Sequence, residues 1–97
     1  MDLSNLAKIK EQTEEVQNFL ESRTIKKETD GITIEMNLLL KVVSIEINQE
    51  KVSLTDVVKL EILLKNAYNE TLSLAQVEVA KAIGELREKN PNLFNFE

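Results

Sequence analysis

The spacing of apolar and polar residues along the chain changes twice, and each change marks a new kind of element. From about Ser4 to Ser22, Leu6, Ile9, Val16 and Leu20, with Thr13 filling the gap, recur at intervals of three and four. That spacing puts one stripe on a helix. The Ser4 hydroxyl can cap it, because it can accept from a first-turn amide that has no partner inside the helix. Lys8, Lys10, Glu11, Glu14, Glu15 and Glu21 take the other faces, and no glycine or proline interrupts the run.

After Arg23 the period becomes that of a strand. Thr24 to Thr29 is the least marked candidate, and Asp30-Gly31 behind it is a strong tight-turn signal. Ile32 to Met36 alternates apolar and polar, as a half-buried strand should. A third strand is expected over Leu40 to Ile47, with Val43, Ile45 and Ile47 on one face and Val42 on the other. Asn37 to Leu39 would then turn the chain between the last two strands.

Helical spacing returns in the last segment. Ser53, three residues before Asp56, resembles a capping box. Leu60, Leu64, Ala67, Thr71 and Leu74 form one stripe; Tyr68, Leu72, Ala75, Val79, Ala82 and Leu86 form a second beside it. A helix from about Leu54 to Glu88 would be ~50 Å long, more than a small sheet can cover, and a break near Val58 would divide it. Asn90-Pro91 ends it, and Leu93, Phe94 and Phe96 follow as a short apolar tail. The result is an α+β protomer of order α-β-β-β-α, with a three-stranded antiparallel sheet and two long flanking helices. Residues 1–97 read as a single domain.

Composition narrows the function. Of the 97 residues, 42% are hydrophobic and 30% charged, which suits a folded chain. A core this small leaves stability modest, and self-association is a common remedy. Cysteine and histidine are both missing, so no disulfide scaffold, zinc site or activated nucleophile is expected. Gly31 and Gly84 are the only glycines, too few for a phosphate-cradling loop. No enzyme, cofactor, metal or small-molecule substrate is therefore expected. Met1-Asp2-Leu3-Ser4 shows no signal-peptide pattern, and no apolar run approaches the ~20 residues of a membrane span. A cytoplasmic protein is the expectation. The net charge of −5, doubled in a homodimer, opposes nucleic-acid binding unless the basic residues are clustered.

Specific residues then add a resemblance. Gly31-Ile32-Thr33-Ile34-Glu35-Met36-Asn37, followed by Val42-Val43-Ser44-Ile45-Glu46-Ile47-Asn48, resembles the central hairpin of the YbaB/EbfC family of bacterial nucleoid-associated proteins. Leu60-Glu61 with Leu64, Ala67, Asn69 and Leu72 is similar to that family's helix signature, and Pro91-Asn92-Leu93-Phe94-Asn95-Phe96 to its terminus. The resemblance implies a protomer that dimerises around its sheet and projects its long helices as arms. Those arms would contact double-stranded DNA with little sequence preference, placing the protein on the nucleoid. Leu38, Leu39 and Leu40 depart from the family, whose turn usually has glycines after the asparagine.

Two sites follow as expectations. With the first and last helices antiparallel, Lys8 and Lys10 approach Lys81, Arg87 and Lys89 at the distal end of the arms, forming a patch for phosphates. The alternative is that these cations sit among Glu11, Glu78, Glu85 and Glu88 as ordinary solvated pairs. Leu38, Leu39, Leu40 and Val42 are the candidate dimer interface, with Leu40 expected to supply the core contact of the turn and its neighbours to be covered by a partner chain or, alternatively, by the Phe94 and Phe96 tail. Tyr68 is expected in the core, and Arg23 at the carbonyls ending the first helix. A dimeric protein-interaction module without nucleic acid is the alternative function.

Overall fold

A computed structural model describes residues 3–91, with side chains from Lys10 onward. Helix α1 spans Leu3–Glu21, strands β1, β2 and β3 span Thr24–Thr29, Ile32–Asn37 and Val42–Ile47, and helix α2 spans Val57–Lys89. The strands form one antiparallel sheet in the order β1-β2-β3. The expected order and fold class are those observed. The apolar tail at Leu93, Phe94 and Phe96 lies outside the described residues.

The Asp30-Gly31 turn forms as expected, with φ of 50° and 91°. Two successive positive φ values match the twist of the flanking strands, and glycine meets them without a Cβ penalty. A Cβ at Gly31 would also sit 2.9 Å from Val52 Cγ2 and 3.0 Å from Lys51 Cβ. Glycine is required here for space as well as for angle.

The second turn differs from expectation. β3 begins at Val42, and Leu40 stands in the turn with φ of 66°, the left-handed region. Asn37 organises this turn: its Oδ1 accepts from the amides of Leu39 at 3.0 Å and Lys41 at 3.1 Å. The core residue is Leu38, not Leu40. Leu38 is buried with Leu20 and Ala82, whereas Leu40 is exposed. The Leu38 amide donates to the carbonyls of Leu20 and Arg23, both at 3.1 Å, so the turn is tied to the end of α1.

A bulge corrects the facing of β3. Glu35 pairs with Ser44 but Met36 pairs with Val42, leaving Val43 as the extra residue. Val42 therefore shares a face with Ile45 and Ile47 instead of opposing them, because directly paired residues point to the same side. On that face α2 covers β1 and β2. Ile32, Ile34 and Met36 are almost wholly buried beneath it. Burying each isoleucine contributes roughly 1.5–3 kcal/mol. The helix meets the sheet through Ala67, Thr71 and Ala75, small side chains that let the backbones approach, and Thr71 Oγ1 donates to the Ala67 carbonyl at 2.8 Å.

The last helix is unbroken from Val57. Asp56 caps it by accepting from the Lys59 amide at 3.2 Å, while Ser53 bonds to Thr55 instead of capping. No break occurs at Val58, because the chain before Asp56 never enters the helix. Over 33 residues α2 runs about 50 Å, and only its first half lies on the sheet. The second half continues past the Leu38 turn and meets α1, where Leu20 and Ala82 are buried with Val16, Phe19, Val79 and Ile83 around them.

Candidate nucleic-acid interface and the open face of β3

The molecule is elongated, with overall extents of 60 × 24 × 16 Å. The nineteen residues of α1 extend about 28 Å. α1 meets α2 at its C-terminal end, where Leu20 is buried with Ala82 and Val16 and Phe19 pack around them. The molecule has a head, made of the sheet and the first half of α2, and an arm, made of α1 and the second half.

Arg23 joins the two. Its Nη1 lies 3.1 Å from Glu85 Oε2, and its guanidinium stands 4.3 Å from the centre of the Phe19 ring. Arg23, expected as a charge at the end of α1, links the two helices by these contacts. Both ends of the ion pair are about half exposed, so water screens it.

The cations expected to bind phosphate are spread over the arm. Arg87 and Lys89 lie in the last turn of α2, about 8–10 Å beyond Ala82, and both are exposed. Lys10 is exposed on α1, roughly 15 Å from Leu20 along the axis of that helix. Lys8 belongs to α1, but its side chain lies outside the described residues. Lys81 is not at the tip. It lines a cleft at the root of the arm with Arg23, Ile25, Leu38, Glu78 and Glu85, and its Nζ is 3.3 Å from Glu78 Oε1. At 100° per residue, Lys81, Arg87 and Lys89 fan around the helix instead of sharing one face. Arg87 is also engaged with other groups of the chain.

A second surface has no solvent-facing chemistry to explain it. α2 leaves β3 uncovered, so Val42 and Ile45 lie on the core side of the sheet yet are 42% and 49% exposed. Tyr68 on α2, expected in the core, is 39% exposed. The spacing that placed it in an apolar stripe was right, but the stripe is wider than the one sheet beneath it. Leu38 is spent on its own protomer, and Leu39 packs partly against the same cluster, while Leu40 and Val42 are exposed. The uncovered width of β3 was the feature the sequence did not announce, because it depends on where α2 crosses the sheet.

These features define an α-β-β-β-α fold built from a small sheet and a helical arm. A model of the YbaB/EbfC DNA-binding family matches residues 2–90, and the chain belongs to that family. No curated protein matches it. No helix among the described residues is long and apolar enough to cross a membrane, and those residues contain no cluster of carboxylates suited to a metal.

Proposed function

We propose that the protein is a homodimeric, nucleoid-associated DNA-binding protein of the cytoplasm that contacts duplex DNA through its phosphates with little sequence preference. The observation that supports the reading best is the arm itself, a narrow two-helix projection whose last turns present Lys10, Arg87 and Lys89 to solvent. Long helices bearing cations on several sides suit backbone contacts, which carry no sequence information, better than base readout. Lys81 would join only by exchanging Glu78 for a phosphate. Self-association fits the thin core and the apolar residues left exposed on β3. No catalytic step enters this reading.

The charge sets the strength of the interaction. A protomer at −5 repels DNA at long range, so binding should be weak and fade quickly with salt. Each phosphate contact adds a slope of ~0.9 in log affinity against log salt. Electrophoretic mobility shift across a salt series tests this, using the parent and the triple variant Lys81→Ala, Arg87→Ala, Lys89→Ala. The variant should bind unrelated sequences equally less well and with a flatter slope, while remaining a dimer. A variant that binds as well as the parent would remove the arm from the interface. The second reading, a dimeric protein-interaction module, is favoured by the pairing of Arg23 and Lys81 with Glu85 and Glu78. It takes over if the parent shifts no DNA even at low salt.

A further inference from the structure

One side of α2 is free of the acidity that marks the rest of the chain. Asn66, Asn69, Ser73, Val77, Ala80 and Gly84 follow at spacings of three, four, four, three and four. That spacing makes them one ridge about 27 Å long. All six are exposed, and the buried residues Ala67, Thr71, Ala75 and Ala82 lie on the opposite side of the helix. None of the six is ionisable, and Arg87, three residues beyond Gly84, continues the line with a cation. Glu70 and Glu88 flank the ridge, each about 60° from its centre. Glu70 is turned to β1, where its Oε2 accepts from Thr29 Oγ1 at 3.0 Å.

Nothing within the protomer requires Gly84. A glycine inside a helix costs about 0.8–1 kcal/mol relative to alanine. Its backbone is helical, not left-handed, and a Cβ built there meets nothing within 4 Å. What glycine offers at such an open place is close approach of another molecule to the backbone. Ala80, one turn earlier, leaves the same shallow surface.

Charge selects the occupant. α1 carries exposed Glu11, Glu14, Glu15 and Glu21, so a polyanion lying against it would meet carboxylates directly. α1 joins α2 at Ala82, about 160° around the helix from Gly84. On the ridge, α2 itself stands between the polyanion and that joint. Its thickness of about 10 Å exceeds the ~8 Å screening length at physiological salt. Asparagine amides, moreover, are ordinary donors to phosphate oxygens.

We propose that duplex DNA lies along this ridge of α2 with α1 turned away. One sugar–phosphate strand is seated against Ala80 and Gly84, and the Asn66 and Asn69 amides donate to its phosphates. The assignment rests on the DNA-binding reading above and gives that binding a side.

Electrophoretic mobility shift across a salt series tests it, with the full-length parent, Gly84→Lys, Gly84→Glu and Gly84→Leu. Matched controls are Asn18→Lys and Asn18→Glu, at an exposed position of α1. Gly84→Lys should tighten binding several-fold and steepen the slope of log affinity against log salt by ~0.9, one phosphate contact. Gly84→Glu should weaken binding by about tenfold. Gly84→Leu changes no charge: it should weaken binding with the slope unchanged, yet raise thermal stability, because leucine is the better helix former. The controls should shift affinity by less than about twofold. Gly84 variants that bind like the parent, or Asn18 effects as large as those at Gly84, would overturn the ridge and leave the DNA-binding reading standing. A parent that shifts no DNA at low salt would remove both. Sedimentation equilibrium of the same variants reads the other occupant. If Gly84→Leu loses self-association, the ridge is a protein contact and the assignment falls.

Discussion

The head and the arm are built from the same helix but held by different physics. In the head, α2 lies on a sheet whose Ile32, Ile34 and Met36 are sealed from water, and the packing is continuous from strand to helix. In the arm, the buried set shrinks to Leu20 and Leu38 with Ala82 and Leu86 of α2. The head can therefore carry the stability of the protomer. The arm depends on one small joint and on the unbroken hydrogen bonding of α2 that runs through both. The difference suits the proposed work, since a surface that grips a long polyanion must be extended and largely solvated.

The largest effect should come from the head. Ile34→Ala removes buried methyls at the middle of the sheet, where strands on both sides and α2 above limit collapse of the cavity. A loss of about 2–5 kcal/mol is expected by chemical denaturation. The whole molecule should lose stability together. If only amides of the arm became less protected, the head would not be the carrier of stability.

Leu20→Ala, at the joint, sharpens the comparison from the other side. Its transfer loss is similar in kind, but the site lies at the edge of a small cluster that can relax, so about 2 kcal/mol is expected. Hydrogen exchange should show α1 opening more readily while β2 keeps its protection. Equal loss of protection in α1 and β2 would mean that head and arm unfold as one unit.

How much of this was legible in the sequence follows the same division. Element order, the Asp30-Gly31 turn and the strand at Thr24 to Thr29 were readable because each is set by residues a few positions apart. The bulge at Val43 was not, because it is a property of the register with β2. Leu40 in the left-handed region was not either; nothing about a leucine suggests φ of 66°, and the geometry arises from Asn37 binding the amides around it. In the arm, the Lys81–Glu78 pair is visible in the sequence as an i,i+3 spacing. Arg23 finding Glu85 could not be foreseen, since no local pattern connects the end of α1 with the distal half of α2. Tyr68 marks the remaining limit: periodicity tells which residues share a stripe but not how much of the stripe one protomer can cover.

The smallest effect should come from the contact that draws the eye most, Arg23 with Glu85. An ion pair at 3.1 Å invites a large energy, but each side chain is about half exposed and screened by water. Exposed pairs of this kind are worth about 0.2–1 kcal/mol. The stacking of Arg23 over Phe19 adds a separate contribution of roughly 0.5–1 kcal/mol that survives loss of the carboxylate. Arg23→Ala should therefore cost more than Glu85→Ala. A double-mutant cycle isolates the pair from the stacking, because the Phe19 contact is lost equally with and without Glu85. The coupling should fall below about 1 kcal/mol and shrink further in molar salt, where the screening length drops to about 3 Å. A coupling of several kcal/mol, insensitive to salt, would mean that the joint excludes water. The arm would then be a rigid continuation of the head, and the contrast between them would fail.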